Sequence, residues 1–131
     1  VLGICIGLHI MTEKSEEGEL FGLGWIKGKV KKFDKNVIIH KPKIPHMGWN
    51  TIKIINRPEL FKDVNFDKGF YFIHSYYVDT VNKENIMTTT EYGNTFVSGI
   101  HSLNIFGIQF HPEKSHSNGM KLLKNFSEIQ C

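Results

Sequence analysis

The chain has 131 residues, 40% of them hydrophobic, and a formal net charge of +3 with a pI near 8.8. That length admits a single domain with a modest core. No apolar run approaches the ~18 residues of a membrane span, no charged-then-apolar leader opens the chain, and the mild positive charge comes with no nucleic-acid motif. The one basic cluster, Lys27, Lys29, Lys31 and Lys32, reads as a solvated face. The two cysteines, Cys5 and Cys131, stand at opposite ends without zinc spacing, so a reduced, cytoplasmic setting is expected. The seven histidines show no ligand spacing on a shared element. Neither a metal nor any other cofactor is expected.

In chain order, residues 1–4 read as a strand and 6–13 as a helix, followed by a polar loop at Ser15-Glu16-Glu17-Gly18. Residues 23–33 alternate like a half-exposed strand, and Val37-Ile38-Ile39 is a short strand candidate. Residues 42–50 carry two prolines and a glycine among large side chains without periodicity, which predicts an ordered loop. Residues 51–55 return to extended chain, and Pro58-Glu59-Leu60-Phe61 predicts a short helix with proline in its first turn. Residues 70–78 are aromatic and β-branched. Residues 86–92 and 96–101 suggest a hairpin across Gly93-Asn94, and 105–110 a buried strand. Residues 118–129 place Met120, Leu122, Leu123, Phe126 and Ile129 at helical spacing, with Ser117 or Asn118 as N-cap.

Two stretches carry chemistry. In Gly3-Ile4-Cys5-Ile6-Gly7 an apolar strand meets a helix at a cysteine flanked by glycines, the cysteine form of a nucleophile elbow. A thiol at a helix mouth is expected to favour thiolate; the plain alternative is a buried core cysteine. In His111-Pro112-Glu113, proline restricts the backbone to extended conformations, in which residues two apart share a side. Glu113 then stands beside His111 and can orient its ring as the acid of a triad does. The alternative is a surface turn with a solvated Glu113–Lys114 pair.

Together, Gly3–Gly7 and Gln109-Phe110-His111-Pro112-Glu113-Lys114-Ser115 resemble the two signatures of class I, triad-type glutamine amidotransferases. Pro45-His46-Met47-Gly48-Trp49-Asn50, His74-Ser75-Tyr76-Tyr77-Val78 and Thr90-Glu91-Tyr92-Gly93 resemble the branch that serves as glutaminase subunits of imidazole glycerol phosphate synthases in histidine biosynthesis. The resemblance implies an α/β fold, a flavodoxin-like three-layer sandwich with a mixed, mostly parallel sheet. Residues 1–131 would be the C-terminal portion of one such domain, incomplete at the N-terminus.

The resemblance further implies Cys5 as nucleophile, His111 as base and Glu113 as the orienting acid. Ile6 would supply an oxyanion-hole N–H, and His9, His74, Ser75 and Tyr76 would contact glutamine. Pro45, His46, Met47, Gly48, Trp49 and Asn50 would face a (β/α)₈-barrel synthase partner in a heterodimer that receives the ammonia. His46 and His74 also read as ordinary polar residues, and Met47 and Trp49 as core filler. The family continues its nucleophile motif as Gly-Met-Gln where this chain has Gly7-Leu8-His9. Three other functions fit less of the sequence: a paralogous subunit serving surface-sugar modification, an inactive binding subunit, and a free-standing cysteine peptidase.

Overall fold

The computed structural model describes residues 1–36, 43–79 and 82–130. The strand expected at Val37–Ile39 lies outside these, as do Pro42 and Cys131. The strands are β1 (Leu2–Ile4), β2 (Lys14–Ser15), β3 (Lys29–Lys32), β4 (His46–Asn50), β5 (Lys53–Ile54), β6 (Phe70–His74), β7 (Tyr76–Asp79), β8 (Ile86–Tyr92), β9 (Asn94–Ser102) and β10 (Ile105–Ile108). The helices are α1 (Ile6–Ile10) and α2 (His116–Glu128), with 3₁₀ turns at Pro58–Phe61, Lys83–Asn85 and Pro112–Lys114. Eight strands share one sheet in the order β1-β10-β9-β7-β3-β2, with β8 on β9 and β5 on β8; β4 and β6 form a separate ribbon.

The sheet is mixed. Its parallel pairs are β1–β10 and β2–β3, and the other pairings among the described residues are antiparallel. The parallel share is smaller here than the resemblance implies, because the β8-β9-β10 meander is joined by turns too short for a parallel crossover. Gly93, with φ of 77°, forms the β8–β9 turn.

The sequence of β10, Ile-Phe-Gly-Ile, explains the layering. Phe106 meets Phe126 of α2 edge-on at 5.9 Å. A Cβ on Gly107 would lie 2.8 Å from Leu8 of α1 on the opposite face. Glycine therefore lets α1 settle close on one side while α2 covers the other. On the α2 side, Phe61, Phe70, Phe72, Phe106 and Phe110 are all buried with Leu60, Ile108 and Leu122. Each such side chain contributes about 1.5–3 kcal/mol. A smaller cluster of Leu8, Ile26, Val30, Val78 and Ile100 fills the α1 side.

Four expectations need correction. Of residues 23–33 only Lys29–Lys32 is strand. The first helix ends at Ile10, short of residue 13: Met11 and Thr12 N–H donate three residues back, to Leu8 O and His9 O, and the buried Thr12 hydroxyl donates to His9 O as well. Residues 46–50 form a strand where a loop is predicted, paired His46↔His74 through Asn50↔Phe70. The closing helix starts two residues earlier than expected, with Ser115 at the N-cap position. Asn118 is instead buried and its amide donates to the carbonyls of Asn65 and Gly69. Among the described residues, no helix is long and apolar enough to cross a membrane.

Candidate active site

Cys5 is the single residue between β1 and α1, and it turns the chain with φ of 51° and ψ of −105°. An L-residue held at positive φ costs roughly 1–3 kcal/mol. The turn is clamped by its backbone: Cys5 N–H donates to Ile108 O at 2.8 Å, and Leu8 and His9 N–H donate to Cys5 O. A Cβ on Gly3 would lie 2.7 Å from Gly7 C and O, so glycine is required there. At Gly7 an added Cβ meets open space, so only one of the flanking glycines is needed for room.

The parallel register Ile4↔Ile108 brings the C-terminal ends of β1 and β10 side by side. His111 follows β10 closely. Its backbone N–H donates to Tyr71 O at 2.9 Å, while Cys5 Sγ lies 3.9 Å from Ile73 O. Two carbonyls on the same edge of β6, two residues apart, thus touch the cysteine and the histidine. Ser115 Oγ closes the frame, donating to His111 O at 2.6 Å and accepting from Tyr71 N–H at 2.9 Å.

His111 is extended, but Pro112–Lys114 is a 3₁₀ turn and not the extended chain expected. The turn still carries Glu113 Oε1 to 2.5 Å from His111 Nδ1. The carboxylate accepts the Nδ1 proton, which leaves Nε2 as the basic nitrogen. That atom is buried without a hydrogen-bond partner, as a waiting proton acceptor would be.

Burial pushes the Cys5 thiol above its ordinary pKa; the Ile6 N–H and the Gln109 amide pull it back only in part. The thiolate expected at the helix mouth is therefore not favoured. The five-residue α1 offers a weak dipole, and desolvation outweighs it.

His9, Ile6 and Glu17 line a pocket of about 310 Å³ with Ile10, Lys14 and Phe21 among its walls. His9 Nδ1 lies 3.9 Å from Glu17 Oε2. His74, Ser75 and Tyr76 are not among the described lining residues. His74 is buried and hydrogen-bonded to its own segment, Ser75 O accepts from Phe33 N–H, and Tyr76 O accepts from His74 Nδ1. Sequence reasoning missed Glu17, a loop acid with no distinguishing neighbours. It also passed over the side chain of Gln109, whose only signal is an amide inside the apolar run 105–110.

His74 belongs to a directional chain. Its Nδ1–H donates to Tyr76 O at 2.7 Å, so its Nε2 accepts from His46 Nδ1–H at 2.9 Å. His46 Nε2 in turn accepts from the Asn50 amide at 3.1 Å. Both rings are neutral in this arrangement. Burial pushes the His74 pKa down to about 3, with the nearby His46 adding to the effect and the Tyr76 carbonyl opposing it. The unfolded chain takes up this proton near pH 6.5, so stability is complete above that pH and falls as pH drops toward 3. At pH 5 His74 alone should cost about 2 kcal/mol. Denaturant midpoints at pH 7.5 and 5 test this. His74→Phe should remove about 2 kcal/mol of the difference, the buried His9 and the half-buried His101, whose pKa values are also lowered, carrying the rest, and an unchanged pH dependence would refute the assignment.

Along β4 the inward residues are polar and the outward ones apolar. His46 is buried against Phe72 and Tyr92, while Met47 and Trp49 are 58% and 46% exposed. Trp49 stacks on His116 with ring centroids 5.6 Å apart. Pro45 precedes the strand through a cis peptide bond, Gly48 takes a φ of 122°, and Asn50 caps the polar side by donating to Glu91 O. Among the described residues, no group of three or more His, Cys, Asp or Glu is arranged to hold a metal.

The family model described as glutamine amidotransferase class-I matches residues 1–129. The chain belongs to the class I glutamine amidotransferases. Among curated members of this amidotransferase family, it is 52% identical over 126 residues to imidazole glycerol phosphate synthase subunit HisH 2 of Methanococcus maripaludis, covering 96% of this chain and 61% of that protein. It is 41% identical to subunit HisH of Leptospira borgpetersenii (98% and 63%) and 44% identical to that of Bdellovibrio bacteriovorus (98% and 63%). The chain thus spans about three-fifths of the length of these relatives. A crystal structure described as a GMP synthase subunit from Thermoplasma acidophilum superposes with a TM-score of 0.63 at 17% identity, covering 95% of this chain and 54% of that one. That likeness establishes the amidotransferase fold.

Proposed function

We propose that this chain is the glutaminase portion of a cytoplasmic imidazole glycerol phosphate synthase, hydrolysing glutamine and passing ammonia to a (β/α)₈-barrel partner subunit. The observation that carries the reading is the shared edge of β6, which holds Cys5 and a carboxylate-oriented His111 in one frame. The relatives' names supply the substrate and the assembly.

In this reading Cys5 Sγ attacks the side-chain carbonyl carbon of glutamine as His111 Nε2 takes the thiol proton. His111 returns that proton to the departing nitrogen, which leaves as ammonia. Water then attacks the γ-glutamyl thioester, with His111 again as base, releasing glutamate and the free thiol. Glu113 holds the Nδ1–H tautomer throughout. The Ile6 N–H, which bonds the sulfur, would donate to the oxyanion. Glu17 complements the α-ammonium of an amino-acid substrate, and Lys14, in the same pocket, its carboxylate. Because burial disfavours the free thiolate, the proton must leave as the base engages, which suits an enzyme that is slow until its partner aligns the site. Met47 and Trp49 present the exposed apolar anchors that a partner surface would cover.

The test is intact-mass labelling by an electrophilic glutamine analogue, with and without the barrel subunit. Stoichiometric adduct at Cys5, faster with the barrel, is the expected result. No adduct under either condition would overturn the glutaminase reading.

A further inference from the structure

The side chain of Gln109 is wholly buried one residue beyond β10, and it bridges two groups the sequence leaves unconnected. Its amide nitrogen donates to Cys5 Sγ at 3.6 Å, and its Oε1 lies 2.8 Å from His9 Nε2. Because an amide oxygen only accepts, His9 must carry its proton on Nε2. His9 Nδ1 is then a bare acceptor, and it is buried without a hydrogen-bond partner.

The opposite tautomer has a definite consequence. With the proton on Nδ1, His9 Nε2 becomes an acceptor, and the amide must turn to donate to it. Gln109 Oε1 would then face the sulfur and could be satisfied only by an S–H donor. One tautomer of His9 therefore supports a sulfur that accepts, the thiolate included; the other supports only the protonated thiol. Burial keeps the His9 imidazole neutral, against the pull of its Gln109 bond and of Glu17, so this choice between tautomers is the one the ring makes.

From this bridge we infer that Gln109 is a positioning residue for the Cys5 sulfur and that His9 sets which end of its amide the sulfur meets. The inference rests on the reading of Cys5 as nucleophile. It assigns to His9, which stands where the family has glutamine, a role directed at the sulfur besides any contact with substrate. No net proton transfer is involved: the same hydrogen bonds persist through the cycle, and the amide donates to sulfur whenever sulfur carries charge. The charges acting on the sulfur are Glu17 after α1 and Glu113 beyond β10; His9 reaches it through Gln109, and His74 on β6 is coupled to His9 and His111.

The test reads the sulfur without requiring turnover. Alkylation of Cys5 by iodoacetamide is followed against pH on the whole polypeptide, quantified on the Cys5 peptide by mass. Gln109→Leu should slow alkylation at pH 8 about tenfold and move the profile to higher pH, as expected for loss of one hydrogen bond to a charged group. His9→Phe, which touches no sulfur contact, should reproduce much of that shift, because the amide is then free to turn. His9→Gln should restore the native profile, since its own amide N–H can donate to Gln109 Oε1. If Gln109→Leu does not fold, the His9 pair decides alone. Superposable profiles for His9→Phe and the native protein would overturn the relay, as would His9→Gln behaving like His9→Phe. A protein that shows these shifts yet resists the glutamine analogue would sink the glutaminase reading and leave the relay standing.

Discussion

Alanine at position 5 is expected to reduce glutamine hydrolysis by a factor on the order of 10⁴–10⁶, the loss seen when a triad nucleophile is removed. The measurement is glutamate release with the barrel partner present. Binding to that partner should be unchanged, because Met47 and Trp49 lie on the β4–β6 ribbon and not on the β1–α1 turn. The backbone clamps on Cys5, from its N–H to Ile108 O and from Leu8 and His9 to its own carbonyl, do not involve the side chain. The variant should therefore keep the site's architecture, and hydrolysis retained near the native rate would exclude Cys5 as nucleophile.

The second large effect is at His111. His111→Asn removes the basic Nε2 while leaving the backbone bond to Tyr71 O in place. The rate constant should fall about 10²–10⁴-fold with KM changed much less, since the ring is not placed among the pocket walls. Glu113→Gln should cost less. Its carboxylate is 51% exposed, water screens it, and the His111 backbone keeps its bonds to Tyr71 and Ser115. A KM effect larger than the rate effect for His111→Asn would reassign the residue to substrate binding.

The elements legible in the sequence are those whose pattern is local. The β8–β9 hairpin announces itself by alternation around Gly93, and α2 by apolar residues at helical spacing. The pairing of His111 with Glu113 was also readable, although a 3₁₀ turn achieves it where extended backbone was expected. β4 was not legible, and the reason is physical. Its inward side chains, His46 and Asn50, are polar because they feed a buried hydrogen-bond chain. Its outward ones, Met47 and Trp49, are apolar and exposed, so the usual alternation is inverted. Its partner strand is also 20 to 28 residues away pair by pair, which no local window captures. The pocket beside α1 was only partly legible. His9 could be placed from its position four residues after Cys5, but Glu17 and the Gln109 amide depend on how α1, the following loop and β10 converge.

The left-handed turn at Cys5 has an evolutionary consequence. Every L-residue there carries the same backbone penalty, and glycine alone escapes it. Relief of roughly 1–3 kcal/mol exceeds the ~0.5–1 kcal/mol that glycine's extra freedom in the unfolded chain takes away. A cysteine at this position is thus a residue that backbone stability by itself would replace with glycine. In a lineage that no longer needed the reaction, Cys5→Gly would be among the first changes that drift could fix, and the resulting protein would be more heat-resistant than its active ancestor.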